Sequence, residues 1–409
     1  MSSPNNGLNL NKPVINSFFL FIVFFITIYF PKFGILDLSI LGLILGVIFL
    51  FLKVETFKVN LSSIYVSYFI FLILIYACLV YLFNIDSNAN EFSIIRLFRT
   101  LFVFVVFALI FSNVTTTISS FLNIVLIVLL LNSIFIIFQV FFPSSQDLMA
   151  ILTGYDKGFI PLRGFGLVGG FDGAGLLATT GLILNYLLIL YSRKYSYLYF
   201  FSLLIFTFSL VFTGRTYMFL SLFVHLIGLL SIYTYGNFKA KVFSLFVVCF
   251  SSIGLIIYVL PILVLTINAF GFNFYNFGGQ IENYNKSYNI EQTNVYSEIA
   301  KMPDTVSDII FGNASLAMTD FGFLMLWHMF GLVGLVLISF LYIWLLLKVN
   351  GRWVMSVSPD TKTLKLFFLF FTLLLILSNF KLLFIFARTF SDLHWILLAY
   401  ILTLKYKSI

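Results

Sequence analysis

The stretch FLNIVLIVLLLNSIFIIFQVFF, residues 121–142, decides the fold of this chain. It carries no charge, and its polar residues are Asn123, Asn132, Ser133 and Gln139. A helix needs about 20 apolar residues to cross the ~30 Å hydrocarbon core of a bilayer. Inside lipid the backbone must satisfy its own hydrogen bonds, and a run of this length does so as a helix. Comparable runs fall near 14–30, 35–52, 61–83, 94–112, 174–191, 197–212, 217–235, 242–268, 321–346, 365–379 and 393–404. The pattern predicts an all-α, polytopic transmembrane protein of about twelve spans, one integral membrane domain over 1–409. The last two runs are short, and a helical hairpin dipping into the membrane near Asn379 to Asp392 is an alternative there. The first run follows Lys12-Pro13 and is too long for a signal-peptide core, so it is expected to remain as a span.

Composition agrees with lipid as the main solvent. Of 409 residues, 61% are hydrophobic and 9% are charged, whereas soluble domains carry about 25% charged residues. The net charge of +8 is therefore read as basic residues retained in cytoplasmic loops, not as a nucleic-acid footprint. With the N-terminus cytoplasmic, the inner loops hold 13 Lys and Arg against Glu55 and Asp360, a net +11, and the outer side holds 10 basic and 13 acidic residues, a net −3. An even number of spans then puts both termini in the cytoplasm. Two outer loops are long, about 143–173 and 269–320, so the work of the protein is expected in the membrane or at its outer face. Cys78 and Cys249 lie in apolar runs without ligand-type neighbours and read as buried thiols.

The first long loop contains Arg163, closely followed by Gly164, Gly166, Gly169, Gly170, Gly173 and Gly175, and then a span. Glycines let backbone N–H groups approach an anion, a helix start favours a phosphate, and Arg supplies a two-pronged donor. The same pattern fits a re-entrant loop with an Arg at the headgroup level. Phe212-Thr-Gly-Arg-Thr216 forms a tight turn between two runs and brings Arg215 to the same face. Two arginines there suit a diphosphate clamp, and a snorkelling Arg is the plain alternative. Arg96 and Arg99 open the fourth run on the outer side, against the positive-inside trend, which implies that something holds them. The long loop is rich in Asn and aromatics, including Phe272, Tyr275, Tyr284 and Tyr296, a lining for sugar rings or an interfacial belt. Residues 290–302 fit a short amphipathic helix. Asp320 ends the loop at a helix start, where it fits a cap or a general base. His225, His328 and His394 lie in spans and read as packing residues. Asp304 and Asp308 read as a solvated pair. No cluster has metal-ligand spacing, so no metal or cofactor is expected.

The order of these features resembles the O-antigen polymerase family (Wzy), relatives of the O-antigen ligases. Arg163-Gly-Phe-Gly with its glycine-rich turn is similar to the family's first periplasmic-loop arginine motif. Thr213-Gly-Arg215-Thr is similar to its short arginine turn, and Phe311-Gly-Asn…Thr319-Asp320-x-Gly-Phe followed by Gly331-Leu-x-Gly334 to the motif closing its long loop. Lys381 and Arg388 resemble charged positions near the family's C-terminus. The stricter pattern puts a Gly where Ala174 stands, between Gly173 and Gly175. In ligases a His often takes the place of Asp320, which leans the resemblance toward polymerase.

The resemblance implies a GT-C-like helical scaffold in a bacterial inner membrane, where a glycosyltransferase moves a growing glycan from a polyprenyl-diphosphate donor onto a lipid-linked repeat unit. It implies Asp320 as catalytic base, Arg163, Arg215, Arg99, Arg388 and Lys381 as diphosphate-binding residues, and Gly164 and Gly166 as loop glycines. Its implied partners are undecaprenyl-diphosphate-linked donor and acceptor, membrane lipids and a chain-length regulator protein. A lipid-linked oligosaccharide flippase or other transporter is the competing class. Transporters tend to show internal repeats and broken helices at the midplane, while polar residues here gather at one face. An O-antigen ligase is the nearer alternative.

Overall fold

Long apolar runs become helices, and among the described residues almost nothing else forms. The computed structural model describes residues 12–33, 36–54, 57–85, 89–114, 116–142, 144–153, 163–168, 170–191, 197–213, 215–236, 241–242, 303, 305–315, 322–350, 358–380 and 383–404. Helix α1 (Lys12–Tyr29) leads to two antiparallel two-residue strands, β1 (Lys32–Phe33) and β2 (Leu36–Asp37). Then follow α2 (Ile40–Lys53), α3 (Leu61–Phe83), α4 (Phe92–Asn113), α5 (Ile118–Phe141), the short α6 (Ser144–Thr153), α7 (Phe171–Tyr191), α8 (Tyr197–Val211) and α9 (Arg215–Tyr235). The described C-terminal part holds α10 (Val306–Phe311), α11 (Gly322–Asn350), α12 (Pro359–Ser378) and α13 (Arg388–Leu404). Among them α3, α4, α5, α7, α11 and α12 are long and apolar enough to cross a bilayer, and α1, α2, α8 and α9 carry shorter apolar stretches. The chain is a helical membrane protein. The run expected at 242–268, the aromatic loop, residues 290–302, Cys249, Asp304, Asp320 and Lys381 lie outside the described residues, apart from residue 242 at the start of that run.

Two helices are buried on all sides. Every residue of α13 from Thr389 to Thr403 is buried, as is nearly all of α7. Helix α13 packs on α4, α12, α1 and α3, whereas α7 packs on α8, α9, α5 and α12. Helix α12 thus joins two half-bundles, each wrapped around one central helix. Outer helices show the reverse of a soluble surface, with Phe51, Leu52, Phe83 and Phe223 exposed where lipid would lie. Polar groups are turned inward and paired. His225 of α9 meets Tyr186 of α7 (Nδ1 to Oη, 2.6 Å) and Thr207 of α8 (Nε2 to Oγ1, 3.0 Å), so it is a packing residue joining three helices. His394 is buried among Tyr342, Phe368, Phe371 and Trp395, with Nε2 3.1 Å from Thr372 Oγ1. Cys78 is a half-buried free thiol.

The last two helices correct an expectation. Helix α12 starts six residues before the predicted run and α13 starts at Arg388, five residues before it. Counting apolar residues stops at charges, but Arg388 and Asp392 are paired inside the bundle, so the helix includes them. The turn between α12 and α13, described at 379–380 and 383–387, joins the two helices without a helical hairpin in those residues.

The bundle has two chemically distinct ends. At one, Lys58 is bonded to Asn113 through backbone N–H to Oδ1 (2.8 Å), Asn60 Nδ2 donates to Leu402 O (2.5 Å), and Tyr400 Oη donates to Thr116 O (3.2 Å). Lys348 Nζ lies 4.3 Å over Trp344 and Lys362 Nζ 4.6 Å over Tyr191 at this lysine end. Helices α3, α5 and α12 start here on Asn60, Thr117 and Ser358, whose side chains accept backbone N–H bonds. The opposite end collects the α1–α2, α3–α4, α5–α7, α8–α9 and α12–α13 connections, and with them the described arginines. This alternation sorts the described loops onto the two ends of the bundle.

Candidate functional site

The arginine end is built from two walls. The first is a charge network that ties α1, α4 and α13 together. Arg99, in the second turn of α4, donates from Nη1 to Asp37 Oδ2 (2.6 Å) and from Nη2 to Asp392 Oδ2 (2.5 Å). Its Nε reaches both Asp392 oxygens at 3.2 and 3.3 Å, and Nη2 also reaches Thr27 O at 3.3 Å. Arg388 donates from Nη1 to Asp37 Oδ1 (2.8 Å) and from Nη2 to Phe30 O. Asp392 is 1% exposed and the Arg99 side chain 10%. A carboxylate so placed is tolerable only because a two-pronged guanidinium meets it. Asp37 sits in the short α1–α2 connection. Burial pushes its carboxyl up, but Arg388, Arg99 and the Ser39 donors outweigh that and hold it below its ordinary 3.8.

Arg99 was expected to bind a diphosphate, but its guanidinium is already spent on two aspartates and a carbonyl. In this structure Arg99 holds the scaffold through these bonds. Arg388 is partly spent and remains 17% exposed. Asp37 and Asp392 were missed in the sequence. The available signal was Arg96 and Arg99 on the wrong side of the charge rule, which demanded carboxylates from other segments. Arg96 is half-buried; its Cζ lies 4.8 Å over the Phe92 ring, and no carboxylate pairs with it among the described residues.

The second wall carries Arg163, and neutral amides build it. Gln139 of α5 accepts from the N–H groups of Phe165 and Gly166 (both 2.9 Å) and donates to Gly166 O (2.8 Å). Asn132 Oδ1 accepts from Leu167 N (2.8 Å), and Gln146 of α6 donates to Arg163 O. The loop is pressed so close to α5 that a Cβ on Gly164 would stand 2.4 Å from Ile136 O. Gly166 has φ +64, the left-handed region that glycine reaches without strain. These glycines were expected to open N–H groups toward an anion. Instead the N–H groups of residues 164–167 are bonded inside the protein, and the glycines serve close packing. Arg163 itself stays half-buried at the rim, its Cζ 5.5 Å over Phe171 at the start of α7.

The two arginine motifs meet. Gly164 N donates to Phe212 O (3.0 Å), which fastens the Arg163 loop to the turn that begins α9 at Arg215. The Arg215 side chain lies outside the description. Gly173 of α7 packs under the Phe390 ring, two residues from Arg388, and α6 lies against β1, so the two walls adjoin.

The glycines of the third motif also face one another. Gly312 (φ +81) and Gly331 (φ +59) are in backbone contact: a Cβ on Gly331 would stand 2.3 Å from Gly312 N. Gly331 interrupts α11, and the carbonyls freed there are recovered. Tyr76 Oη bonds Phe330 O and Phe311 O (both 2.9 Å), and Asn313 N donates to His328 O (2.9 Å). This junction fixes the end of the long loop to the arginine end through Asn90 N and Ala314 O (2.9 Å). Comparison with known protein-family models and with curated proteins gives no match to this chain.

Proposed function

We propose that the protein is an O-antigen-type polysaccharide polymerase, a glycosyltransferase working at the outer face of a bacterial inner membrane. The observation that carries this reading is the bond between Gly164 N and Phe212 O, which joins the Arg163 loop to the Arg215 turn. Donor and acceptor each bring a diphosphate, and several guanidiniums at one end of a membrane bundle match that load. Nucleotide sugars are absent outside the cytoplasmic membrane, so the donor carries its own leaving group. The bond between the anomeric carbon and the diphosphate breaks as a hydroxyl of the acceptor sugar attacks with inversion. Arginines stabilise the charge growing on the departing polyprenyl diphosphate without a metal. A carboxylate takes the hydroxyl proton, and we assign that role to Asp320. The full reading includes twelve spans, a GT-C-like scaffold, cytoplasmic termini, the lysine end in the cytoplasm, and a chain-length regulator as partner.

Deleting the gene in the source strain and sizing the surface glycan tests the reading. A single repeat unit on lipid A is the expected outcome, whereas unmodified lipid A core indicates a ligase or a flippase. Asp320→Asn keeps a helix cap and should cost about 10²–10⁴-fold in polymerisation. Long chains made by abundant Asp320→Asn protein would remove Asp320 from the chemistry.

A further inference from the structure

Helix α11 is broken where it could have run straight. As one rod its 29 residues would measure about 43 Å, well beyond a hydrocarbon core of ~30 Å. At Gly331 the backbone turns to φ +59 and ψ −170, a conformation that only glycine adopts freely, and the end of α10 is pressed into the break. The depth of this junction follows from α3. Lys348 Nζ lies over the Tyr65 ring near the start of α3, and a lysine head keeps to the edge of the bilayer. Tyr76, whose hydroxyl holds Phe311 O and Phe330 O, stands eleven residues further on, about 16 Å up the helix. Helix α3 then runs another seven residues to the exposed Phe83, about 10 Å more. The tip of α10 therefore lies below the arginine-end edge of the bilayer, in that leaflet.

The residues of α10 suit such a dip. Its cap Thr305, Ser307 and Asp308 are polar and lie at its start, whereas Ile309, Ile310 and Phe311 end it. Val306, Ile310 and Phe311 are exposed. Beside Tyr76 on α3, Ile75 and Leu79 are exposed too, and so are Leu332 and Val336 just past the break in α11. The patch on α10 thus continues the lipid-facing surface of both helices that hold it. After Phe311 the chain reverses through Gly312 (φ +81) and Ala314 (φ +54), both buried, and Ala314 O meets Asn90 N in the α3–α4 connection. Irregular backbone at membrane depth is tolerated only where protein covers it and its polar groups find partners. We infer that α10 re-enters the leaflet at the arginine end, with Val306, Ile310 and Phe311 against acyl chains and the Tyr76 hydroxyl satisfying the carbonyls that the dip frees. The inference needs the membrane character of the chain and not the polymerase reading.

The test is spin labelling of the full-length protein in vesicles of phosphatidylethanolamine and phosphatidylglycerol. Single cysteines are placed at 306, 307, 310 and 311 in a background without Cys78 and Cys249, with Val336→Cys as the lipid reference. Each label is read for collision with oxygen, which concentrates in lipid, and with a water-soluble nickel chelate. Ile310→Cys and Phe311→Cys should show the high oxygen and low nickel collision of Val336→Cys, about 5–10 Å below the headgroups. Ser307→Cys should read at the headgroups and Val306→Cys between them. Strong nickel collision at 310 and 311 overturns the proposal, because α10 then stands in water. Weak collision with both reagents overturns it as well, because protein then covers the face. Tyr76→Phe keeps the ring and removes the donor, which leaves Phe311 O and Phe330 O facing lipid, so the label at 310 should move toward the headgroups. A label at 310 that stays in place in Tyr76→Phe overturns the part given to Tyr76.

Discussion

On the α4–α13 side of the arginine end, Arg99, Arg388, Asp37 and Asp392 hold three segments together by charge. On the α5–α7 side, the neutral amides of Gln139, Asn132 and Gln146 hold the loop that carries Arg163. The first wall uses its guanidiniums to satisfy buried carboxylates, and all three nitrogens of Arg99 donate to Asp37, Asp392 or Thr27 O. The second satisfies its backbone without ionic groups, and Arg163 pairs with no carboxylate among the described residues. A charge neutralised within the protein does structural work. A charge supported by neutral neighbours keeps its field for something from outside.

Substituting the two arginines should separate these roles, and it carries the largest expected effect. Arg99→Ala leaves Asp392 buried beside an empty space, and breaking a buried pair from one side costs about 3–5 kcal/mol. Membrane-inserted protein should fall sharply, read by immunoblot and by thermal unfolding in detergent. Arg163→Ala removes a stacking contact and no ion pair among the described residues, so abundance should hold. Its loss should appear in glycan chain length, where removing one positioned donor costs about 10²–10³-fold. Normal accumulation of Arg99→Ala together with lost Arg163→Ala protein would reverse the comparison.

Gln139→Leu tests the neutral wall at nearly constant volume. It orphans the N–H groups of Phe165 and Gly166 and the carbonyl of Gly166, all in a buried place. Each buried group left unpaired costs about 1–3 kcal/mol. Because the loop lies at the rim, it can shift toward water and recover part of that. The expected outcome is moderate destabilisation with a displaced Arg163, hence shorter glycan chains at near-normal protein level. Loss of inserted protein as complete as in Arg99→Ala would mean that the amide wall is as structural as the ionic one.

Much of the fold could be read from the sequence because lipid makes one rule dominant. Every run of apolar residues within the described part became a helix, and the alternation of ends followed from counting. The helix ends were harder to place. Helix α13 begins among Arg388 and Asp392, and a hydropathy count cannot know that a partner on α4 neutralises them. The site was legible as segments but not as roles. Arg163-Gly-Phe-Gly and the Arg215 turn were found and do meet, yet the glycines turned out to pack against α5 through Gln139 and Asn132, polar residues that looked incidental in an apolar run. Asp37 went unnoticed because its partners Arg99 and Arg388 are 62 and 351 residues away in the chain. Long-range pairing leaves no local trace.

Asp37 supplies the smallest and most specific test of the ionic wall, because it alone bridges both arginines and lies in a connection rather than in a span. Its carboxyl is held below the ordinary 3.8, so folding favours its charged form. A group with a depressed folded pKa contributes stability that is fully present above its unfolded value and is lost as pH falls through the folded one. Unfolding midpoints of the wild type should therefore be flat from neutral pH down to about 5 and drop below about 4. Asp37→Asn keeps the side-chain shape but loses the charge on Arg99 and Arg388, so it should be less stable at neutral pH by on the order of 1 kcal/mol. In acid the two proteins should converge, since protonated Asp and Asn are then alike in charge. Taking the difference between them removes every other carboxylate that titrates in the same range. A constant gap from pH 7 to pH 3 would mean that Asp37 acts through its hydrogen bonds to Ser39 and not through the arginines.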